Sequence, residues 1–485
     1  MPIILGASSA ATGAFTVDNS CCFNDGDSSK MLRVMGTATD NLKFTFNCWF
    51  KRCTLGTNQA FAHARTGTSG PYFNMMIGTD DKLRIYGPDK DGLNDFDYKT
   101  DRVLRDVGAW YCVTIAMDTS LGAAGDRLRI YINGVEETSF TTETNPTQNI
   151  IYVGNYTGYD FGIGANLDNS LYWDGYIAEA VKIDGLQLTA TSFGEFDEDS
   201  PTIWKPIDVS GLTFGNNGFY LDFEDSSNLG NDASGGTDFT ETNIIAADQC
   251  QDSPTNSFCT MNPLDNATST LITYANGNNQ AFQGTTSAWR STYGTMAPSS
   301  GKWYYECIGG NSSGHLYAAI ASPQYAAQLG VNLEMGTTNT QPSYGLYGAN
   351  GSINYSTTSA AGQNSAGYSG TFTESNYIGV YFDLDNNKIY WAIDGTIQNS
   401  GTGFGIEADF AYMPAASLYN NTAAGTGFNF GNGAFNGAAI TGTTYNDANG
   451  YGIFKHSPND GGAASFDSSA KDFLAVCTKN LAEYG

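Results

Sequence analysis

A segment in the first third of the chain alternates apolar and polar residues and then turns on a dipeptide that suits a tight hairpin. In residues 127–137, Leu128, Ile130 and Ile132 share one face of the predicted strand, and the turn falls on Asn133-Gly134. Asn-Gly tolerates the positive φ angles of a type I′ turn, and a period of two is typical of a strand with one buried face. The opposite, solvent-facing side is predicted to carry Arg127, Arg129 and Tyr131.

A second segment, residues 387–398, repeats this design and turns on Asp394-Gly395. Its alternation places Ile389, Trp391 and Ile393 on one face, which predicts a second hairpin with one buried side. Two such hairpins so far apart in sequence indicate two separate β-sandwiches. Other strands that alternation predicts are Phe44–Arg52, Trp110–Asp118 and Leu171–Gly185, the last with a turn inside it.

Composition favours an all-β chain of two antiparallel β-sandwich domains joined by a polar connector. The sequence has 58 Gly and 13% aromatic residues, among short runs rich in Thr, Tyr, Phe, Ile and Val. Its 485 residues exceed the length of roughly 250 to 300 at which single cores stop growing. We predict an N-terminal arm over 1–16, a first jelly-roll-like sandwich over 17–205, a return strand and connector over 206–265, a second sandwich over 266–450 and a C-terminal segment over 451–485.

The charge balance argues against nucleic acid as a partner. The formal net charge is −27, from 22 basic and 49 acidic residues, and no Lys/Arg cluster could gather phosphates. Solubility explains such acidity, with a calcium or cationic-ligand role as the alternative. We expect no membrane insertion, because no run approaches the ~20 apolar residues of a membrane span. We expect no classical export, because a basic start and an apolar core are missing at the N-terminus.

The nine cysteines are odd in number and form no C-x-x-C pair. The sequence therefore indicates neither a disulfide framework nor a zinc site, and we expect reduced, mostly buried thiols. One pair in the polar connector, Cys250 and Cys259, is a candidate bridge.

Four segments of the first sandwich form an ordered set: Trp49–Arg52, Trp110–Asp118, Ile132–Gly134 and Gly175–Glu179. They comprise an aromatic strand end, a Trp-led strand, an Asn-Gly hairpin and a Gly-Tyr-Ile-x-Glu closing strand. In this order they resemble the laminin-G-like branch of the concanavalin A-like lectin superfamily. The resemblance implies a two-sheet jelly roll.

The second sandwich carries another ordered set: Gly301–Cys307, Ile378–Gly395, Tyr412–Tyr419 and Phe428–Phe435. Its Gly-Lys-Trp-Tyr strand, its Asp-Leu-Asp hairpin closing on Asp-Gly, its Pro-x-x-Ser-Leu strand and its Asn-Phe-Gly end resemble the SPRY (B30.2-like) domain. The resemblance implies a binding module in which loops at one end of the sandwich choose the partner. No catalytic residues come with it.

Three further segments resemble parts of bacteriophage virion proteins: Phe23–Val34, Asn217–Gly235 and Phe473–Gly485. This resemblance implies a tail fibre, or a capsid fibre or decoration protein, made in the host bacterial cytoplasm and displayed on the virion surface. Other virion proteins would then be partners, and residues 2–16 would be the candidate anchor. We expect a homo-oligomer, with a trimer as one candidate because trimers are common among fibres, although no heptad or collagen-like run demonstrates one.

An enzymatic alternative rests on Glu195, Asp197 and Asp199, whose i, i+2, i+4 spacing places them on one face of a strand. Some concanavalin A-like folds are glycoside hydrolases with a Glu-x-Asp-x-Glu strand, and paired carboxylates serve that reaction. Here the third position is Asp, and the run abuts Ser200-Pro201, which favours a solvated loop. We therefore expect no enzyme, with a virion polysaccharide hydrolase and a purely structural decoration protein as alternatives.

Calcium is the candidate cofactor, although no cofactor is certain. The loop from Pro88 to Asp97 supplies Asp89, Asp91, Asp95 and Asp97, and carboxylates are preferred calcium ligands. The spacing does not match that of an EF-hand calcium loop, so turn formation by Asp and Asn is the simpler explanation.

Loop aromatics next to hydrogen-bonding side chains are the candidate ligand-binding residues, since sugar rings stack on exposed aromatic faces. Packing against neighbouring loops or another subunit is the alternative role for each. We expect the protein to bind a host-surface glycan or another adhesive partner by multivalent contacts. The candidates are Tyr156, Tyr159 and Asp160 in the first sandwich, and Trp289, Arg290, Tyr293, Tyr344, Tyr347 and Asn350 in the second.

Overall fold

A computed structural model describes residues 4–5, 15–67, 69–166, 170–265, 272–283, 288–327, 334–337, 339–420, 425–459 and 472–485. The chain divides into two compact units, Ala11–Thr255 and Asn256–Gly485, the second of which also includes Met1–Ala10. The described residues are mainly β-strands in antiparallel sheets, so the all-β prediction is confirmed. The candidate anchor falls outside the described residues except at strand β1 (Ile4–Leu5) and residues 15–16.

The first unit packs two eight-stranded sheets face to face. Sheet A has the strand order β11-β10-β9-β4-β14-β2-β19, with β17 also paired to β14, and sheet B has the order β12-β8-β7-β6-β5-β13-β3-β18. The strands are β2 (Ser20–Phe23), β3 (Lys30–Val34), β4 (Lys43–Arg52), β5 (Gln59–Arg65), β6 (Tyr72–Ile77), β7 (Lys82–Pro88), β8 (Asp95–Val103), β9 (Trp110–Asp118), β10 (Leu128–Ile132), β11 (Val135–Glu136), β12 (Phe140–Thr144), β13 (Asp160–Ile163), β14 (Gly175–Asp184), β15 (Gly194–Phe196), β16 (Trp204–Pro206), β17 (Phe219–Leu221), β18 (Thr240–Thr242) and β19 (Gln249–Cys250). The 3₁₀ helices are Asp25–Asp27, Ala124–Asp126, Val153–Asn155, Ala190–Ser192 and Ala246–Asp248.

The core of this sandwich is aromatic and draws on both sheets. Phe46 and Phe50 of β4 meet Phe61 of β5 and Phe161 of β13, with ring centroids 5.2 to 6.5 Å apart. Each of these side chains is fully buried, as alternation predicted for the inner face of β4. Burial of several large rings supplies most of the hydrophobic stabilisation of such a core.

The closing strand is continuous where the sequence predicted a turn. β14 begins at Gly175 and pairs with β4 along its length, with a bulge between Ala178 and Val181. Glu179 occupies the bulge with a φ of 49°, the left-handed region. A bulge adds one residue and bends the strand without breaking the pairing, so β14 contains no turn.

The outer face of sheet A is covered, which corrects the prediction for Tyr131. Its side chain is only 6% exposed and packs in a cluster with Trp49, Trp110 and Trp204. Trp204 arrives on the β15–β16 hairpin, which follows the closing strand. Arg129 of the same strand and Arg127, which precedes it, are half-buried, as expected for a solvent-side position.

The polar connector contributes strands to the first unit. β17 pairs with β14, β18 with β3, and β19 with β2. The predicted return strand, residues 218–223, corresponds to β17. The division between the two units lies at residues 255/256.

The second unit is also built from two main antiparallel sheets. Sheet C has the order β20-β21-β34-β24-β29-β30-β31, with β32 on β30 and β37 on β24, and sheet D has the order β22-β33-β25-β26-β27-β28; β1 pairs in parallel with β23. The strands are β20 (Ile272–Ala275), β21 (Gln280–Gln283), β22 (Arg290–Tyr293), β23 (Met296–Ala297), β24 (Lys302–Ile308), β25 (Leu316–Ala321), β26 (Ser343–Tyr347), β27 (Ile353–Ser356), β28 (Gln363–Ser365), β29 (Tyr377–Asp383), β30 (Lys388–Ile393), β31 (Thr396–Ile397), β32 (Phe404–Gly405), β33 (Met413–Leu418), β34 (Thr426–Asn429), β35 (Ala434–Phe435), β36 (Ala438–Ala439) and β37 (Leu474–Ala475). The helices are α1 (Pro323–Ala326), α2 (Thr478–Tyr484) and the 3₁₀ helices Pro263–Asp265 and Asn399–Gly401.

Both predicted hairpin turns are confirmed. Asn133 and Gly134 have φ angles of 48° and 77°, and Asp394 and Gly395 have 48° and 76°. These are the positive angles that a type I′ turn requires.

The predicted burial of the thiols is also confirmed, because all nine cysteine side chains are buried, and the structure gives each as a free thiol. Cys250 and Cys259 are therefore not bridged, which corrects their assignment as a candidate bridge. Among the helices that the structure describes, none is long and apolar enough to cross a membrane.

Candidate ligand-binding surfaces

Five aromatic side chains converge at one end of sheet D. Antiparallel pairing brings these side chains together. The start of β22 lies opposite the end of β33, and the end of β33 also lies opposite the start of β25. The start of β25 lies opposite the end of β26. Residues far apart in sequence therefore meet at one edge. We name this group the Trp289 cluster; it consists of Trp289, His315, Tyr317, Tyr347 and Tyr419.

The rings of the Trp289 cluster support one another. The Trp289 ring lies 4.9 Å from Tyr317, 5.6 Å from Tyr347 and 5.2 Å from Tyr419, measured between centroids. Tyr347 stacks on Tyr317 at 4.7 Å with 15° between the ring planes. Tyr317 is fully buried, whereas the other four rings are half-buried. The cluster thus has a packed floor and a partly exposed rim.

Polar side chains fix the floor of the cluster. The Tyr317 hydroxyl donates to Oε1 of Glu334 at 2.5 Å and accepts a hydrogen bond from Nδ2 of Asn354 at 2.7 Å. Asn354 in turn accepts from Nδ2 of Asn364 at 2.5 Å. Burial, followed by the Glu334 carboxylate, raises the pKa of Tyr317 well above its ordinary value, so the hydroxyl stays protonated. A carboxylate and two amides therefore lie beside the aromatic rings.

The structure brings together Trp289 and Tyr347, which the sequence had proposed from separate loops. Arg290 lies next to the cluster and donates from Nη1 to the carbonyl oxygen of Trp289 at 2.8 Å. Asn350 is exposed, and its Oδ1 accepts hydrogen bonds from the backbone N–H and the hydroxyl of Ser352 at 2.9 and 2.6 Å. Asn350 therefore stabilises its own turn.

Two of the proposed tyrosines lie in the interior. Tyr344 is 1% exposed in the main core of the second unit, and its hydroxyl accepts from the backbone N–H of Glu407 at 2.9 Å. Tyr293 is also 1% exposed and packs with Tyr325 and Met413. Stacking on a sugar needs an accessible ring face, so the structure corrects the assignment of these two residues as surface ligands.

Sequence reasoning did not select several members of the site. His315, Tyr317 and Tyr419 flank or begin strands of sheet D, and Glu334 and Asn354 come from two further segments. The alternation of β25 could place Tyr317 on one face of a strand, but the order of strands in the sheet was needed to show its neighbours.

The first unit presents a smaller aromatic pair. Tyr156 and Tyr159 meet edge to face at 5.5 Å, half-buried against the core. Their loop is tied to Met35, which donates from its N–H to Tyr159 O and accepts from Gly158 N, both at 2.8 Å. Asp160 follows as the first residue of β13, and its half-burial raises the pKa of its carboxyl.

The residues of the candidate calcium loop do not fit a metal. Oδ1 of Asp89 accepts backbone hydrogen bonds from Asp91 and Leu93 at 2.9 Å, and Oδ2 accepts one from the Asn94 side chain. Asp97 pairs with Arg84 at 2.7 Å. Across the described ranges, no group of three His, Cys, Asp or Glu side chains could hold a metal ion. The carboxylates stabilise a turn and an ion pair.

The carboxylate run of the hydrolase alternative lies on the β15–β16 hairpin. Asp197 accepts backbone hydrogen bonds from Asp199 at 3.0 Å and Ser200 at 2.9 Å, so it caps a turn. Lys205 Nζ lies 3.4 Å from Glu195 and 3.5 Å from Asp197. The two carboxylates thus share a lysine in this arrangement.

One family match covers part of the first unit. Residues 24–190 match the concanavalin A-like lectin/glucanases superfamily. This range spans β3 to β14, the strands that form most of both sheets of the first sandwich. The concanavalin A-like fold predicted for this region is therefore confirmed. No curated protein matches the chain by sequence.

Several solved structures resemble parts of the chain at low sequence identity. A putative carbohydrate binding protein from Bacteroides ovatus is 17% identical with a TM-score of 0.33, and the match covers 47% of this chain and 59% of that protein. The LG4-5 domains of the mouse laminin alpha1 chain are 9% identical with a TM-score of 0.30, over 87% of this chain and 89% of that one. The SPRY domain of human HERC1 is 12% identical with a TM-score of 0.26, over 35% of this chain and 96% of that domain.

Proposed function

We propose that this protein is a non-enzymatic carbohydrate-binding protein and that the Trp289 cluster is its main saccharide-stacking surface. The observation that carries the proposal is the half-buried rim of Trp289, Tyr347 and Tyr419 beside the Glu334 and Asn354 side chains. The lectin/glucanase family match of the first sandwich supports the same class of ligand.

The chemistry of a sugar ring fits this cluster. One face of a pyranose is apolar and packs on an aromatic ring, while its hydroxyl groups need donors and acceptors at the edge. The rings of Trp289 and Tyr347 supply the platform, and their mutual contacts hold them in place before a ligand arrives. A rigid aromatic platform binds with less loss of side-chain entropy.

We further propose that the protein is a bacteriophage virion component, either a tail fibre or a capsid fibre or decoration protein. The support is the resemblance of Phe23–Val34, Asn217–Gly235 and Phe473–Gly485 to segments of such proteins. Other virion proteins are then its partners, and the particle surface is its location. Many copies on one particle, or a homo-oligomer, would convert weak single contacts into durable attachment to a host-surface glycan.

The binding proposal is tested with a glycan array probed by the full-length protein. The Trp289→Ala and Tyr347→Ala variants should lose at least about tenfold in affinity, as expected when a stacking anchor is truncated. The matched control is Tyr445→Ala, which removes an aromatic ring of the same unit that is 40% exposed and lies outside the cluster. Binding that survives both cluster variants, or no binding by folded protein, overturns the proposal.

The virion proposal has its own test. Phage particles purified from a culture that carries the coding sequence are labelled with an antibody against the protein and gold, and their proteins are identified by mass spectrometry. Labelling on the tail or the capsid supports the proposal and assigns the location. Particles that lack the protein overturn it.

A further inference from the structure

The outer face of sheet B carries four side chains in direct register across neighbouring strands. Val34 of β3 is paired with Asp160 of β13, Asp160 with Arg65 of β5, and Arg65 with Tyr72 of β6. Residues in direct register lie on the same face, so these four form one line across four strands. We name this line the Val34 row; three inter-strand steps of about 4.8 Å make it about 14 Å long.

Burial shows that the row is on the outside of the sandwich. Phe161, Ala64 and Phe73, which adjoin three of its members in the strands, are fully buried in the core. Val34 is 66% exposed, and the other three members are half-buried. The row is therefore a partly exposed line of mixed apolar and polar side chains on the solvent side of sheet B.

The row continues into a second aromatic ring. Tyr72 meets Tyr86 of β7 edge to face at 5.6 Å, and the guanidinium of Arg65 lies over the Tyr72 ring at 5.7 Å. The guanidinium of Arg84 lies over the Tyr86 ring at 4.2 Å, and Asn74 donates to the Tyr86 hydroxyl at 3.1 Å. These contacts hold both rings in fixed orientations.

A polar cleft of about 500 Å³ opens at the Val34 end of the row. Its walls include Val34, Gly36 and two loops, residues 214–218 and 234–237. The guanidinium of Arg33 holds both loops in place by hydrogen bonds of 2.7 to 3.1 Å. It donates to the carbonyl oxygens of Asn217, Gly218 and Thr237 and to the carboxylate of Asp232. A volume of this size lies within the range of small-ligand sites.

Charged side chains of both signs lie side by side on this face. Arg84 forms a bidentate ion pair with Asp97 at 2.9 and 2.7 Å, and Arg65 lies opposite Asp160 in the sheet. The whole chain carries a net charge of −27, which repels a polyanion. A neutral ligand rich in hydroxyl groups therefore suits a face that offers aromatic rings, guanidinium donors and carboxylate acceptors side by side.

We infer that the Val34 row, with Tyr86 and the adjoining cleft, is a second saccharide site that binds a neutral, linear oligosaccharide lying across the strands of sheet B. The inference extends the proposed function to the first sandwich, but it stands on contacts within that sandwich alone. The Trp289 cluster and the Val34 row can therefore fail separately.

The test is affinity electrophoresis of the full-length protein in native gels that contain laminarin, arabinan or galactomannan, with polygalacturonate as the acidic comparison. At least one neutral polysaccharide should retard the wild type, the Trp289→Ala variant and the control Leu93→Ala, whose side chain is 80% exposed in the first unit. The Tyr72→Ala and Arg65→Ala variants should be retarded at least about tenfold less. Arg65→Ala keeps the test valid if Tyr72→Ala does not fold, as judged by circular dichroism.

Four results overturn the inference. Retardation of Tyr72→Ala and Arg65→Ala equal to that of the wild type excludes the row as the binding site. Retardation by polygalacturonate alone, or by none of the polysaccharides, excludes a neutral saccharide ligand. Loss of retardation in Trp289→Ala alone assigns the site to the second sandwich, which supports the proposed function while removing the second site.

Discussion

The ammonium group of Lys182 donates a hydrogen bond to Oδ1 of Asn155 at 2.7 Å inside the first sandwich. A second, longer hydrogen bond reaches the carbonyl oxygen of Asn217 at 3.3 Å, and the rings of Phe44 and Phe161 lie within 5.7 and 5.4 Å. This buried cation links the closing strand to the segment that precedes the Tyr156–Tyr159 loop. Burial lowers the pKa of Lys182 from 10.5 to about 7.

The contribution of Lys182 to the stability of the first sandwich should therefore rise with pH above neutrality. Between about pH 7 and 10 the unfolded chain holds a proton on Lys182 that the folded chain has lost, so raising the pH favours the folded state. Asp184 raises this pKa and Arg33 lowers it, each by less than burial does. From about pH 7.5 to about pH 9 we expect the free energy of unfolding of the wild type to rise by about 2 kcal/mol relative to that of Lys182→Met, both measured by urea titration. The same pH dependence of the free energy of unfolding in the two proteins would contradict the assignment.

The carboxylate of Glu306 binds the C-terminal segment to β24, and its replacement should loosen that segment. Oε1 accepts from Tyr304 Oη and His456 N, and Oε2 from Asn429 Nδ2 and Lys455 N, at 2.7 to 2.9 Å. In Glu306→Gln the new NH₂ group faces two donors, so two buried hydrogen bonds are lost. We expect a loss of about 2 kcal/mol or more in the free energy of unfolding.

Limited proteolysis is the readout for the Glu306 prediction. Cleavage within the C-terminal segment should be faster in Glu306→Gln than in the wild type. The control is Glu374→Gln, an exposed glutamate of the same unit. Equal cleavage rates in both variants would show that the four hydrogen bonds do not hold the segment.

Gly134 should be intolerant of a side chain for two separable reasons. Its φ is 77°, and a Cβ would meet the Trp204 ring at 2.2 Å. Gly92 has a similar φ of 73° with nothing within 4 Å of its Cβ position. Gly92→Ala should cost about 1 kcal/mol for the backbone angle alone, and Gly134→Ala should cost more by the displacement of Trp204. Thermal unfolding of both variants measures the difference, and equal costs would remove the steric component.

The elements that the sequence predicted well are those with local causes. β9 has the predicted bounds, and both type I′ turns occur at the predicted dipeptides, because alternation and turn chemistry are read within a few residues. Tyr131 shows what a local pattern cannot predict. Its side of β10 is covered by Trp204, which a local pattern cannot foresee because the covering hairpin lies far along the chain.

In the candidate site, the sequence also did not show which face of a strand each tyrosine occupies. Tyr344 and Tyr347 lie three residues apart on β26, so they point to opposite faces, and only Tyr347 reaches the Trp289 cluster. The composition of the segment had suggested both tyrosines as ligand-binding residues. The order of strands in sheet D, which brings Trp289 beside Tyr347, depends on long-range pairing that no segment encodes alone.

The hydroxyl and the ring of Tyr317 should have separable roles in the Trp289 cluster. Tyr317→Phe keeps the ring that stacks on Tyr347 but leaves Glu334 and Asn354 without their shared partner. We expect a stability loss of about 1 to 2 kcal/mol, with glycan affinity changed far less than in Tyr347→Ala, because the exposed platform stays in place. Thermal unfolding and titration of an array-selected glycan measure the two effects. If Tyr317→Phe abolished binding as completely as Tyr347→Ala, the polar floor and not the ring platform would be the main determinant of affinity.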